Sequence, residues 1–96
     1  MRLFKIKDEV DLNELEKYGF KKCQDWYIRE YEVDDDWYYK KHYIRIRNIP
    51  GYWLYKEIQD CSTDPIGFVH QNYKNIDVDK KVSDLILAGL VEIEGE

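Results

Sequence analysis

An α+β fold, with an antiparallel sheet and two short helices packed on one face in the order βαβββαβ, is what this sequence predicts. Three observations carry the expectation. Apolar and polar residues alternate with period two in short runs, at Phe4 and Ile6, from Trp26 to Val33, and around Ile44 and Ile46. Two segments with helical spacing each close on a glycine, Gly19 and Gly89, and lead straight back into alternation. The stiff aromatic side chains that favour strands are concentrated: of twelve Tyr and Trp residues, ten lie between Trp26 and Tyr55.

In chain order, residues 1–7 read as a half-buried strand, with Phe4 and Ile6 on one side and Lys5 and Lys7 on the other. Asp11 then stands at an N-cap position with Glu14 three residues on, and Leu12, Leu15 and Tyr18 share the face of a short helix. Gly19 supplies the left-handed residue that ends it, with Phe20 placed against Leu15. Trp26 to Val33 is the next strand, and Asp34, Asp35 and Asp36 form a solvated turn. Trp37 to Ile49 follows as a strand, with a bulge expected near Lys40 and Lys41, and with Ile44 and Ile46 opposite Tyr43, Arg45 and Arg47. Pro50 and Gly51 suit the central positions of a type II turn, from which Tyr52 to Gln59 returns as a third strand. Cys61 to Asn75 has no clear element; either Phe68, Val69 and His70 pair as a short strand or the segment is a functional loop. Behind Asp77 as cap, Val78, Val82, Leu85 and Ile86 make a helical stripe, stopped by Gly89 before a last strand from Leu90 to Glu94. The two helix-glycine-strand units echo each other in design without forming a solenoid repeat.

The length fits one domain, residues 1–96, able to bury roughly two thirds of its unfolded surface. Hydrophobic residues at 44% and charged residues at 36% exclude the low-hydrophobicity route to disorder. No apolar run reaches the roughly 18 residues of a membrane span, and the charged start is unlike a signal peptide, so a cytoplasmic protein is expected. Cys23 and Cys61 are then expected to stay reduced.

The pairing of DLNELEKYGFKK (residues 11–22) with DLILAGLVEIE (residues 84–94) around a Tyr- and Trp-rich centre resembles small uncharacterised proteins encoded in phages and prophages of Gram-positive bacteria. The resemblance implies an accessory phage product, a class that includes inhibitors of host machinery, and it supplies no functional residues. The closing segment also resembles the end of a winged-helix domain, where a helix leads into the wing. That fold needs two further helices just upstream, which Cys61 to Asn75, with Pro65 and Gly67, does not offer.

Chemistry has few footholds. The glycines stand alone, so no phosphate loop or dinucleotide fingerprint is present, and no nucleophile elbow occurs. Cys23, Cys61, His42 and His70 lack the paired spacing of a zinc site, and Asp34 to Asp36 lacks the spaced oxygens of a calcium loop. No acid and base recur at a recognisable spacing, so no enzyme, metal or cofactor is expected.

The exception is residues 37–56, which carry Lys40, Lys41, Arg45, Arg47 and Lys56 without one Asp or Glu, while acids dominate both flanks and set the net charge of −5. Tyr39, Lys41, Tyr43, Arg45, Arg47, Tyr52, Trp53 and Tyr55 are the candidate contact residues. Tyr, Trp and Arg are the types enriched at protein hot spots, so an unidentified protein partner is the first expectation. The same residues suit stacked bases and paired phosphates of single-stranded nucleic acid, the alternative, although twenty acids around the patch weigh against it. A competing structural account has half of these aromatics in the core and the cations paired with Glu30, Glu32 and Glu57. A third variant gives the contact role to the carboxylates, meeting a basic partner as a nucleic-acid mimic. An exposed, Tyr-rich edge strand is also able to pair with a copy of itself, giving a homodimer.

Overall fold

In the computed structural model, which describes residues 3–33, 38–72 and 78–94, the strands fall into two antiparallel sheets. The smaller pairs β1 (Leu3–Ile6) with β7 (Val91–Glu94). The larger runs in the order β2 (Lys21–Cys23), β3 (Trp26–Tyr31), β4 (Lys41–Arg47), β5 (Ile58–Thr63) and β6 (Val69–Gln71). A 3-10 helix, Leu12–Tyr18, and two short α-helices, α1 (Val78–Lys81) and α2 (Ser83–Leu87), complete an α+β fold. The fold class is the expected one, with a richer element list.

The local signals near both glycines do what their chemistry dictates. The Asp11 carboxylate accepts from the Asn13 amide at 2.9 Å and caps the first helix. Gly19 takes φ +87, its amide donates to Glu16 O, and the Phe20 amide reaches back to Leu15 O. Gly89, at φ +78, repeats the arrangement: its amide reaches Ile86 O, and the Leu90 amide reaches Leu85 O. Both ends are therefore Schellman caps, and each sets an apolar pair, Leu15 with Phe20 and Leu85 with Leu90, against the core. Val78, Val82 and Leu85 are buried as the stripe requires, although the helix breaks at Val82 into two pieces.

Cross-strand pairing sorts the larger sheet into two faces. Tyr27, Ile46 and Ile58 lie in register on the inner face, where they join Leu12, Leu15, Val82 and Leu85 in the core. Trp26 lies opposite Arg47, Ile28 opposite Arg45, and Arg45 opposite Gln59 on the outer face. Arg29 staples the inner face to both helical layers. It donates to Asp84 at 2.8 Å, to Lys81 O at 2.7 Å and to Tyr18 O at 2.9 Å, and its guanidinium lies 4.6 Å from the Phe20 ring.

Several strand boundaries differ from expectation. Lys21–Cys23 pairs with β3 across a two-residue turn, a strand with no apolar alternation to announce it. The Pro50–Gly51 turn forms as predicted, with Gly51 at φ +85 and the Tyr52 amide bonded to Ile49 O at 3.1 Å. The chain does not return as a strand at Tyr52. Two more turns follow, from the Tyr55 amide to Tyr52 O and from the Glu57 amide to Leu54 O, so β5 starts only at Ile58. Arg47 bonds to both Lys56 and Glu57, which places one bulge of this hairpin there, and a second falls at Lys40 and Lys41 as expected, where Lys41 pairs with Thr63 and the Lys40 amide also donates to Thr63 O at 2.8 Å. Lys56 takes φ +68, the left-handed position that glycine usually fills in such a bulge.

As far as Asn72, the described part of Cys61 to Asn75 is no long loop: it holds half of β5, a tight turn and β6, the short strand that was one of the two expectations. The helices a winged-helix domain needs are not there among the described residues. The Asp34–Asp36 turn, Trp37 and the Asp77 cap lie outside the described residues. β1 joins the larger sheet at one point, where the Ile6 amide donates to Lys56 O at 3.0 Å beside a Lys5–Glu57 bridge. Among the described residues no helix is long and apolar enough to cross a membrane.

Candidate contact surface

The centre of the outer face is an indole flanked by two guanidiniums. Arg45 Cζ sits 3.7 Å from the Trp26 ring centre and Arg47 Cζ 4.7 Å from it, because Trp26 lies directly opposite Arg47 and diagonal to Arg45. Arg47 also lies 4.9 Å from the Tyr52 ring. Two like charges on one ring need balancing, and β5 supplies it. Arg45 Nε donates to Gln59 Oε1 at 2.8 Å, Gln59 Nε2 donates to Glu57 Oε1, and that same carboxylate lies 3.8 Å from Arg47 Nη2. The carboxylate thus faces Arg47 directly and Arg45 only through the Gln59 amide. Arg47 Nε is buried without a hydrogen-bond partner among the described residues, a cost of holding the group close to two rings.

At the end of this face the three successive turns present Tyr52 and Trp53, with ring centres 6.2 Å apart. Trp53 is 81% exposed and Tyr52 42%, while Arg47 beneath them is largely covered. Their loop is tethered at its base. Lys56, 4% exposed, sends its ammonium under the loop to the carbonyls of Lys7 at 3.2 Å, Asp8 at 2.9 Å and Val10 at 2.6 Å. Lys56 is therefore a structural cation, remote from any surface patch.

The remaining predicted contact residues scatter. Tyr43 is on the outer face but buried, packed where β4 pairs with Cys61. Tyr55 packs against the core. Lys41 stands at the far end of β4, 3.8 Å from Glu30. Tyr39 is at that end too, half-buried, with its ring 5.6 Å from His42 and 6.0 Å from His70. The structural account is thus right for Tyr43 and Tyr55 and for the pairing of Lys41 and Arg47, and it fails at Arg45, Tyr52 and Trp53. Trp26, Gln59 and Glu57 complete the surface. Trp26 was legible as facing away from Tyr27, but the strand to which it presents its ring was not.

No family model, no curated protein and no solved structure matches this chain. Its chemistry is therefore argued from its own side chains.

A second polar cluster lies on the inner face. Asp60 accepts from Tyr31 at 2.6 Å and from Lys81 at 2.8 Å, and Asn72 Nδ2 reaches both Asp60 and Ser62. Burial first, and then the Asp60 carboxylate, push the Tyr31 hydroxyl far up. Ser62 Oγ accepts from Asn72 Nδ2 at 3.1 Å and lies 2.9 Å from His42 Nδ1, in a bond whose direction follows the imidazole tautomer. The pair has the elements of an activated hydroxyl, yet Ser62 is 1% exposed and closed to a substrate. What the network does is satisfy buried polar groups where α1 meets the sheet. Cys61 is equally shut in, and burial raises its thiol to about 11, while Cys23 is exposed on β2. Among the described residues no three His, Cys, Asp or Glu side chains converge on a metal position.

Proposed function

We propose that this chain is a small, non-catalytic accessory protein of the phage type that works in the cytoplasm by binding another protein. The contact is the outer sheet face from Trp26, Arg45 and Arg47 to the Tyr52–Trp53 tip. The observation that carries the reading is the state of Trp53: a large indole held 81% in water on a loop whose base is pinned by a buried lysine. Exposed, pre-ordered aromatics beside Arg are the residue types at the centre of protein hot spots. The balance of two guanidiniums against Glu57 leaves about one positive charge on the patch. A matching partner offers an apolar recess for the indole and one acidic group for Arg45.

The alternative, single-stranded nucleic acid, draws support from the same exposed rings, since bases stack on Trp and Tyr. A net charge near one supports only about one or two phosphate contacts, against an overall charge of −5. The protein reading is favoured on that account. Its test is capture from host lysate with wild type, Trp53→Ala and Arg45→Glu. Both variants are expected to lose the same prey while melting as wild type does, and an unchanged prey list from both sinks the reading. Tight oligonucleotide binding that weakens steeply with salt replaces it with the alternative.

A further inference from the structure

We propose that β6 is an interface with a second copy of this chain, the two β6 strands pairing antiparallel about a two-fold axis at His70. Four strands of the described residues end a sheet, β1, β2, β6 and β7, and the outer side of β1 is partly covered where Ile6 meets Lys56 and Lys5 meets Glu57. Two carry the charge that keeps edges apart, Lys21 and Lys22 on β2 and Glu92 and Glu94 on β7. β6 is Val69-His70-Gln71, and it follows a tip where Ile66 is 78% and Phe68 64% exposed, with Val69 exposed beside them.

The backbone of β6 is complementary to itself. Asp64 N donates to Phe68 O at 2.9 Å and Asn72 N to Asp60 O at 2.8 Å, which marks 64/68 and 60/72 as hydrogen-bonded pairs of the β5–β6 ladder. Pairs alternate in an antiparallel ladder, so Ser62 and His70 form the next bonded pair, and Val69 and Gln71 turn their N–H and C=O groups outward. In a register centred on His70, Val69 of each copy faces Gln71 of the other. Both residues have outward groups there, so four backbone hydrogen bonds form, two from each such pair, and Phe68 comes to lie opposite Asn72 of the second copy. A shift by one residue matches outward groups with inward ones and loses all four.

The tip is built to hold this geometry. Asp64 Oδ1 accepts from the Ile66 and Phe68 amides, and Oδ2 holds His70 Nε2 at 2.8 Å. The copy is a better occupant than a foreign peptide because the isologous register satisfies both edges at once, and the two His70 side chains that meet at the axis are each held by their own Asp64.

Sedimentation of the full chain from about 10 µM to 1 mM tests this, a small edge interface belonging to the weak end of the range. A rise from 11.7 kDa toward twice that mass is expected, together with slowed exchange of the Val69 and Gln71 amides. Gln71→Pro removes an outward donor that the ladder with β5 does not use, and Val69→Lys installs the missing edge charge. Each is expected to weaken the dimer roughly tenfold or more. A mass of 11.7 kDa at every concentration overturns the proposal. So does a dimer that neither variant affects.

Discussion

Replacing Lys56 with methionine keeps most of the side chain's volume and removes only its charge and donors. The ammonium is buried and its partners are three main-chain carbonyls of one loop, those of Lys7, Asp8 and Val10. Charge-assisted bonds of this kind are each worth about 1.5–3 kcal/mol, against which stands the cost of burying the ammonium. Asp8 and Glu9 are exposed, so water reaches part of the loop, and one or two carbonyls remain unsatisfied in the variant. The expected net loss is about 3 kcal/mol, or a fall in melting temperature of roughly 12–24 °C for a domain of this size. A second pair of variants isolates the backbone. Lys56→Gly and Lys56→Ala both lack the amine, but only glycine accepts φ +68 without strain, so Gly is expected to be the more stable by about 1 kcal/mol. Urea and thermal unfolding followed by circular dichroism read all three. Lys56→Met within 0.5 kcal/mol of wild type, on the order of ordinary surface changes, refutes the three-carbonyl account. An alanine variant as stable as the glycine one refutes the strain account.

Three further outcomes follow from the geometry. Trp53→Ala is expected to change stability by less than about 0.5 kcal/mol, whereas Trp26→Ala, which removes the platform under two guanidiniums, is expected to cost about 2–3 kcal/mol; equal losses would mean that the tip packs as core. One thiol, that of Cys23, is expected to react with a disulfide reagent at pH 8 in the native protein and two in urea, since burial holds Cys61 at about 11; fast reaction of both in the native state contradicts the burial. Asp64 is held below its usual 3.8 by the His70 hydrogen bond first and by the Phe68 and Ile66 amides, although burial works in the opposite direction. A carboxyl whose folded value is depressed stabilises fully above the unfolded value and loses that contribution as pH falls through the folded one. The urea midpoint of wild type is therefore expected to drop more steeply below pH 3.8 than that of Asp64→Asn, and parallel curves count against the tip geometry.

What could be read from the residues was local. Both Schellman caps, the Asp11 cap, the Pro50–Gly51 turn and the inward side of Ile44 and Ile46 each depend on neighbours within a few positions, and each stands where its spacing put it. What could not be read depends on distant partners. Lys56 meets carbonyls 46 to 49 positions away, and Arg29 meets Asp84 55 positions away. Composition marks both only as surface charge. β2 was hidden for a different reason: with all three residues exposed, pairing alone makes it a strand, and no hydrophobic pattern records pairing.

The same distinction explains why the basic stretch was only partly a surface. A run of cations free of acids in sequence says nothing of acids across a sheet, and antiparallel pairing with β5 brings Glu57 and Gln59 beside Arg47 and Arg45. A half-buried guanidinium with neither ring nor carboxylate carries a heavy desolvation cost, so the fold had to supply partners for both. It supplied one carboxylate and one amide. Among the described residues Arg45 therefore keeps its charge on a stacked, oriented group whose nearest acceptor is neutral, and an incoming carboxylate gains from meeting it without displacing an ion pair there. Arg47, already facing Glu57, offers no such gain. A binding partner is thus expected to discriminate between the two: Arg45→Gln lowers affinity far more than Arg47→Gln, and the reverse order would place the contact on the Tyr52 side of the indole instead.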